Sequence, residues 1–291
     1  RFICREHAGN LLDLIRLCGF EAEALAMQDL TQVKPSKQSA LGEGDFAHAD
    51  WLGEDWQVDA DQTKNTIGDV EVDWLIVDHY SLDVRWEKSL KLHYQKLMVI
   101  DDLADRQHDC DLLLDQNLGR TEQHYIGLVS RHCKVLAGPQ YALLRPEFSE
   151  LRQYSLARRA TPQLKHLLIS MGGVDKDNAT GEVLAALTGS ALPYDCSISV
   201  LMGPHAPWLT QVSKQAEQML WPTEVLVNVD NIAKLMADSD LAIGAAGSTS
   251  WERCCLGLPT LLLVLADNQR DGAIALAKAR SALLLGNLKD L

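Results

Sequence analysis

Short apolar runs alternate with amphipathic stretches along most of the chain, and this alternation limits the fold more than any other feature of the sequence. Several runs are apolar on both faces, as strands are when helices cover both sides of a parallel sheet. Strands that alternate with helices form βαβ units, so we expect an α/β protein with parallel sheets. The runs occupy residues 74–77, 97–100, 112–114, 135–137, 167–169, 198–202, 225–229, 241–243 and 261–265.

The length of 291 residues and the 47% hydrophobic content are sufficient for two ordinary domains with their own cores. Residues 151–163 are basic and polar, and they fall between the two series of apolar runs. We therefore predict an N-terminal domain at 1–150, a linker at 151–163 and a C-terminal domain at 164–291.

A small-residue turn at 244–253 leads from the apolar run 240–243 into a helix start. Glycines let the backbone approach an anion, and the free N–H groups of a first helical turn point at it, so the segment predicts a phosphate site. An ordinary connection fits the same residues, with Thr249 and Glu252 as a capping box and Gly257 as the helix stop.

A second turn of this kind contains Gly172 and Gly173, directly after the run 167–171. Asp177 and Asn178 then offer capping residues for a helix. Loops gather beyond the carboxyl ends of parallel strands, so both turns can face one pyrophosphate. A plain tight turn is the alternative.

Charge and composition exclude several classes of partner. The formal charge of −13 and the pI near 5.1 argue against nucleic acid and anionic membranes, which require a basic surface. No apolar run reaches membrane-spanning length and no signal peptide is visible, so we predict a cytoplasmic protein.

Residues 45–66 carry two tryptophans among acidic residues, and we interpret them as an exposed loop followed by a helix rather than a separate binding element.

The seven cysteines lie mostly in apolar runs and form no Cys-x-x-Cys pair. They predict reduced core residues. A metal site built from His108, Cys110, His132 and Cys133 is the less favoured alternative.

Seven blocks spread over the chain together resemble the UDP-2,4-diacetamido-2,4,6-trideoxy-β-L-altropyranose hydrolases of pseudaminic acid biosynthesis. The resemblance implies hydrolysis of that UDP-sugar to UDP and the free sugar, with no metal and no cofactor. It also implies two Rossmann-like domains facing a cleft, a GT-B-like arrangement similar to the peptidoglycan GlcNAc-transferase. The blocks are residues 78–83, 101–106, 115–117, 138–148, 170–175, 243–253 and 266–269.

The candidate site residues divide into three groups. Glu252 has two carboxylate oxygens for the two ribose hydroxyls, and Ile232 lies where the similar transferases bind the base through main-chain groups. The UDP-binding candidates are Gly172, Gly173, Ile232, Gly247, Ser248, Thr249 and Glu252. The catalytic candidates are Tyr80, Asp78 and Asn268, and the substrate-binding candidates are His79, Asn268 and Gln269.

Ordinary structural roles compete for several of these residues. Asp78 and His79 can be plain turn residues, and Asn268 can be a polar loop residue. Asp101 and Asp102 follow a run as a catalytic pair would, but with Arg106 they can equally form an ion-paired turn. The end of the next run, 115–117, has the same two interpretations.

The chain departs from the family pattern at its start. The family's first strand and its histidine-bearing Gly-x-Gly-His-x-x-Arg turn would precede Phe2, and a closing helix would follow Leu291. We therefore expect a fragment that is truncated at both ends and monomeric, with a nearly whole nucleotide half. An inverting UDP-sugar glycosyltransferase and a UDP-sugar-binding fragment without turnover are the alternatives.

Overall fold

The computed structural model describes residues 1–7, 9–27 and 48–288. These residues form two compact units, Arg1–Tyr141 and Ala142–Leu291, which we call unit 1 and unit 2. Every strand pair described in either unit is parallel. The predicted α/β class is confirmed, and each of the nine apolar runs overlaps a strand.

Unit 1 has two parallel sheets. The smaller one pairs β1 (Phe2–Arg5) with β2 (Ala22–Leu25), and the larger one joins four strands in their chain order. Those four are β3 (Trp74–Val77), β4 (Lys96–Ile100), β5 (Leu112–Asp115) and β6 (Lys134–Ala137). Its helices are α1 (Leu12–Leu17), α2 (Trp56–Ile67) and α3 (Val84–Ser89).

A buried carboxylate joins three elements of unit 1. Asp59 on α2 pairs with Arg5 of β1 and accepts a hydrogen bond of 2.8 Å from the indole N–H of Trp86 on α3. Because a buried charge is costly without partners, these bonds fix how the helices lie on the sheets. Leu97 and Leu113, both fully buried, fill the core beside them.

Unit 2 holds one six-stranded sheet in the order β12-β11-β10-β7-β8-β9. Its strands are β7 (His166–Ser170), β8 (Ser197–Met202), β9 (Thr223–Val227), β10 (Leu241–Ala245), β11 (Thr260–Val264) and β12 (Leu283–Asn287). Its helices are α4 (Pro146–Arg158), α5 (Ala179–Thr188), α6 (Leu209–Ala216), α7 (Ile232–Asp238), α8 (Thr249–Leu256) and α9 (Arg270–Lys278).

The strand order of unit 2 reverses between β7 and β10. The chain runs outward from β7 to β9, returns to the centre at β10 and then runs outward on the other side. This is the order of a dinucleotide-binding Rossmann sheet, in which ligands bind beyond the carboxyl ends of the strands at the reversal. The turns after β7 and β10 are therefore the candidate ligand-binding site of unit 2.

Most of the segment predicted as a linker is helical. α4 covers residues 146–158, and the two units divide before it, between Tyr141 and Ala142. The basic residues that indicated a linker have another role, because Arg159 donates to the carbonyls of Met236 and Ser239 at the end of α7. A basic side chain satisfies carbonyls that a helix end leaves free.

No helix among the described residues is both long and apolar enough to cross a membrane. All seven cysteines are free. Cys110 and Cys196 are buried, as predicted for core residues, whereas Cys18 and Cys254 are exposed.

Replacing Gly203, which follows β8, with alanine should destabilise unit 2. A Cβ at this position would lie 2.0 Å from the carbonyl oxygen of Gly173, so one backbone segment must move. Overpacking of this kind costs roughly 1–3 kcal/mol of unfolding free energy. Urea unfolding measures the change.

Gly272→Ala is the matched control. Gly272 lies inside α9 with no atom within 4 Å of an added Cβ, so alanine should stabilise the helix by up to about 1 kcal/mol. Equal changes in the two variants would contradict the clash at Gly203.

Candidate functional site

The two glycine turns of unit 2 lie side by side. β7 and β10 are paired with Ser170 opposite Gly244, so the turns that follow them leave the same edge of the sheet. Gly172 has φ +92°, which an L side chain rarely adopts. A Cβ at Gly172, Gly173 or Gly247 would meet no atom within 4 Å, so there is open space beside all three residues.

The start of α8 presents unpaired backbone donors. Within the described ranges, the N–H groups of Gly247, Ser248 and Thr249 donate to no residue, and the first bond of the turn runs from Ser250 N–H to the Gly247 carbonyl at 2.9 Å. Free N–H groups and the positive end of the helix dipole favour an anion at this point.

The start of α5 is different, because the protein supplies its own anion there. The buried carboxylate of Asp175 accepts from the N–H groups of Ala179 and Thr180 at 2.8 and 2.9 Å. Asn178 occupies the capping position, but its side chain makes no capping bond. Asn178 stands at the N-cap as predicted, but the hydrogen bonds to the helix start come from Asp175, so these two N–H groups are already bonded.

Glu252 lies in the first turn of α8 and is half-buried. In the part of the chain that the structure describes, its carboxylate accepts no hydrogen bond, so the capping box with Thr249 does not form. Ser248, not Thr249, is the capping residue, which puts Glu252 one position too far along the helix. Burial raises the pKa of Glu252, and the charges of Arg145 and Arg253 oppose that shift.

Arg253 stands behind the α8 turn and is almost fully buried, with 2% of its surface exposed. One guanidinium nitrogen donates to the Ala245 carbonyl at 2.7 Å and to Ser250 Oγ at 3.1 Å, but Nε and Nη1 have no partner among the described residues. Burial lowers its pKa to about 10. Gly244 must lack a side chain because a Cβ there would lie 2.2 Å from Nη1. A cation is thus fixed beside the unpaired N–H groups.

The remaining candidates of unit 2 lie near this edge. Asn268 and Gln269 form a short turn after β11, which is the neighbour of β10. Gln269 Oε1 accepts from the Leu265 N–H at 3.1 Å, whereas Asn268 is exposed. Ile232 begins α7 and packs in the core cluster that also contains Leu256 of α8.

In unit 1, residues 78–80 directly follow β3, as predicted. Burial lowers the pKa of His79, so its ring is neutral at neutral pH, although the Asp59 carboxylate opposes the shift. Its Nδ1 accepts from the Ser81 N–H at 3.1 Å, which leaves the proton on Nε2. His79 is therefore a hydrogen-bond donor toward any ligand.

The carboxylate of Asp102 lies near both Tyr80 and Asp78. Burial, and then the carboxylate of Asp102, raise the pKa of Tyr80 well above its usual value, so its hydroxyl keeps its proton. Partial desolvation and Asp102 also raise the pKa of Asp78. One buried oxygen of Asp102 has no partner among the described residues. The group combines a protonated hydroxyl with two carboxylates that can accept a proton.

Asp101 and Arg106 form the ion-paired turn that was one of the two alternatives. The Arg106 Nη1 lies 2.6 Å from Asp101 Oδ1, and both side chains are almost wholly buried. Arg106 also donates to the carbonyls of His79 and Leu82, at 3.3 and 2.9 Å. Asp101 is therefore a structural anchor that holds the loop carrying His79 and Tyr80.

Asp115 at the end of β5 is fully buried and heavily bonded. It accepts from the Asn117 N–H at 2.8 Å and from the Tyr125 hydroxyl at 3.0 Å, and Arg120 Nε lies 3.3 Å away. Burial nevertheless raises its pKa to about 6. The Tyr125 hydroxyl also lies 3.0 Å from the carbonyl oxygen of Asp101, so its single proton is shared between the two acceptors and ties the ends of β4 and β5 together.

The residues of the less favoured metal site have other partners. His108 pairs with the buried Glu87 at 2.6 Å, and the Cys110 and Cys133 sulfurs are 3.5 Å apart. Among the described residues, no group of three or more His, Cys, Asp and Glu side chains could hold a metal ion.

Several important side chains are absent from the sequence-based candidates. Arg253 and Asp175 belong to the motif blocks, but nothing in the sequence shows that one guanidinium would be buried without an anion or that one carboxylate would cap a helix four residues away. Tyr125 lies outside every motif. The available signals were weak: a single arginine in the helix that follows the small-residue turn, and two aspartates before the other helix start.

Comparison with known proteins assigns the chain to a family. No protein-family model matches the chain. The chain is 32% identical over 215 residues to the UDP-2,4-diacetamido-2,4,6-trideoxy-β-L-altropyranose hydrolase of Campylobacter jejuni, covering 74% of both proteins. It is 28% identical over 235 residues to an uncharacterised protein of Methanocaldococcus jannaschii, covering 79% of this chain and 48% of that protein. The chain thus spans about half the length of the archaeal relative.

Among solved structures, MurG of Acinetobacter baumannii matches with a TM-score of 0.56 at 14% identity, over 96% of this chain and 75% of that one. This likeness confirms the GT-B-like fold class. By its identity and coverage to the Campylobacter protein, the chain belongs to the family of that hydrolase.

The raised pKa of Asp115 predicts how stability depends on pH. An exposed aspartate titrates near 3.9, so between about pH 4 and pH 6 the folded protein holds a proton that the unfolded chain has lost. This carboxyl should therefore lower the unfolding free energy as pH rises through that window. In Asp115→Asn, the stability curve measured by urea unfolding should be flatter between pH 4 and 6.

Asp13→Asn is the control, because the Asp13 side chain is fully exposed. It should leave the curve unchanged. A curve that keeps its slope in Asp115→Asn would show that this carboxyl does not titrate in the window.

Proposed function

We propose that this chain binds a UDP-sugar and hydrolyses UDP-2,4-diacetamido-2,4,6-trideoxy-β-L-altropyranose to UDP and the free sugar, as a step of pseudaminic acid biosynthesis. The observation that carries the proposal is the row of three N–H groups, at Gly247, Ser248 and Thr249, that no described residue bonds and that lie at the strand-order reversal of unit 2. The name of the Campylobacter relative supports the choice of substrate.

The pyrophosphate is assigned to the α8 turn. Its oxygens would accept from the three N–H groups, and Gly172, Gly173 and Gly247 leave the space it needs. Arg253 adds a fixed positive charge behind the turn. A donor array that needs no rearrangement stabilises negative charge well, and charge increases on the pyrophosphate as the sugar departs.

The nucleoside is assigned to two residues beside the turn. Glu252 has a carboxylate that no described residue occupies, which suits the two ribose hydroxyls. Ile232 begins α7, and its main chain is assigned to the uracil ring.

In unit 1, the reaction needs a group that accepts a proton from water. The water oxygen bonds to the anomeric carbon, the bond from that carbon to the phosphate oxygen breaks, and the electron pair leaves with UDP. Asp78 takes the proton, since its raised pKa makes it a better base than an ordinary aspartate. Tyr80 keeps its own proton and donates a hydrogen bond to the reacting groups.

Further polar side chains are assigned to the sugar. The Nε2–H of His79 can donate to a hydroxyl or acetamido oxygen. In unit 2, Asn268 is exposed and can both donate and accept, and Gln269 retains its amide N–H₂ because only its oxygen is used in the turn.

Release of UDP and free sugar in equal amounts, with no acceptor present, would decide for hydrolysis. If UDP appeared only after an acceptor was added, an inverting glycosyltransferase would replace the hydrolase. Binding of the UDP-sugar with no release under either condition would leave a binding module.

Gly247→Val should weaken UDP binding at least tenfold, which corresponds to about 1.4 kcal/mol. The valine side chain would fill the open space through which the phosphate reaches the backbone. Titration calorimetry with UDP measures the change.

The matched control is Gly189→Val at the opposite end of α5, where an added Cβ has only ordinary contacts. UDP affinity should stay unchanged in this variant. Wild-type affinity in Gly247→Val would remove the phosphate from the α8 turn.

Tyr80→Phe should slow turnover by a factor on the order of 10², because a positioned proton donor contributes about this much or more. UDP affinity should not change, since the assigned UDP contacts lie in unit 2. A coupled assay of UDP release gives kcat, and calorimetry gives Kd. Tyr194→Phe, at a side chain that is 94% exposed, is the control and should keep wild-type values. An unchanged kcat in Tyr80→Phe would take Tyr80 out of the mechanism.

A further inference from the structure

Three aromatic rings are in contact beside the end of β3. The ring centroids of His48 and Trp51 are 4.5 Å apart, those of His48 and Tyr80 are 5.4 Å apart, and those of Trp51 and Tyr80 are 5.8 Å apart. We call these three side chains the aromatic cluster. It extends from Tyr80, a residue already assigned to the reaction, to Trp51, which the proposed function does not use.

Trp51 is exposed although it is held firmly. Its ring is 56% exposed, on a short 3-10 turn, Ala49–Leu52. Ser81 Oγ donates to the His48 carbonyl at the start of the turn, and a nitrogen of His7 bonds the Leu52 carbonyl at 3.1 Å at its end. Leu52 itself is buried, so the turn is anchored on both sides of the exposed ring.

The end of the turn is also fixed by shape. Gly53 has φ +69°, and a Cβ there would lie 2.6 Å from the His7 ring. Only glycine fits this position without strain. The anchored turn holds the indole in place while leaving it exposed, so the ring can contact a ligand without first having to be ordered.

The charges around the aromatic cluster select its ligand. The carboxylates of Asp78 and Asp102 lie near Tyr80 and raise its pKa, so a phosphate would be repelled here. A neutral group with hydrogen-bonding substituents would not be repelled by these carboxylates. His79 offers an N–H donor, and the Tyr80 hydroxyl keeps its proton.

A pyranose ring has this character. One face of the ring presents C–H groups that pack on an aromatic face, and its edge carries the polar substituents. A 6-deoxy sugar adds a methyl group, which increases the apolar area available to an indole.

We propose that Trp51, supported by the rings of His48 and Tyr80, is the subsite that packs against the apolar face of the substrate's pyranose ring. This inference rests on the proposed function and adds to it a residue that selects the sugar. The tryptophan is a substrate-binding residue that takes no part in proton transfer.

The test compares two ligands by calorimetric titration of the full chain: UDP, and the UDP-sugar in the form of a phosphonate analogue whose anomeric C–C bond the chain cannot hydrolyse. The ratio of their dissociation constants reports the sugar contribution alone, since the nucleotide is common to both. Trp51→Ala should weaken the UDP-sugar roughly tenfold and leave UDP unchanged, whereas Trp51→Phe should retain most of the sugar contribution because it keeps an aromatic face. Trp74→Ala is the matched control, since Trp74 is 45% exposed in the same unit and has no contact with the aromatic cluster.

A second readout follows the ring directly. Binding of the UDP-sugar should change the intrinsic tryptophan fluorescence of the wild type beyond the change caused by UDP. That extra change should be absent in Trp51→Phe and present in Trp74→Ala.

The outcomes separate this inference from the proposed function. If wild type binds neither ligand, the proposed function is wrong, and so is the proposal that the substrate's pyranose ring packs on Trp51. If wild type binds the UDP-sugar more tightly than UDP and Trp51→Ala keeps the same ratio, the proposed function stands and the aromatic subsite is overturned. Equal binding of UDP and the UDP-sugar by wild type would also overturn the subsite.

Discussion

The parallel pairing of β7 with β10 is the constraint on which the arrangement of unit 2 depends. It places Ser170 opposite Gly244, so the two glycine turns leave the sheet together although more than seventy residues separate them in the chain. Since the chain runs outward from this pair in both directions, no crossover covers the space beyond their carboxyl ends. The β11 turn, with Asn268, joins the same edge because β11 is the next strand.

The helices α5 and α8, which follow β7 and β10, differ in how their first N–H groups are bonded. Each helix follows a strand and a glycine turn. At α5, the carboxylate of Asp175 bonds the free N–H groups, so the helix start is satisfied from within. At α8, no described side chain does so, and a buried Arg253 adds positive charge without an anionic partner. An unpaired cation and unpaired donors are costly in a folded protein, and an anionic ligand would offset that cost for both.

The carboxylates of unit 1 also fall into two groups, those that are bonded within the fold and those near Tyr80. Asp101 is neutralised by Arg106, and Asp115 is bonded by Tyr125 and Arg120. These pairs hold the strand ends together. Two other carboxylates lie near Tyr80: Asp78, whose pKa is raised by burial, and Asp102, one of whose oxygens has no partner among the described residues. Chemistry is therefore assigned to Asp78, which is not part of these pairs.

The sequence by itself determined the fold class, because nine short apolar runs alternate with helical stretches and several of them are apolar on both faces, as strands of helix-covered parallel sheets are. It also determined where the candidate residues stand along the chain, since glycine turns and polar residues directly follow those runs. Tertiary structure decided which of them are free. Asp101 pairs with Arg106 five residues away and Asp175 caps a helix that starts four residues away, so the partners were local but the sequence did not show which role each carboxylate takes. The carbonyls that Arg159 bonds at the end of α7 lie 77 and 80 residues away. The hydrophobic periodicity of a segment shows which of its residues are buried. A charged group, however, bonds whichever partner the fold brings within hydrogen-bond distance, and the periodicity does not show which partner that is.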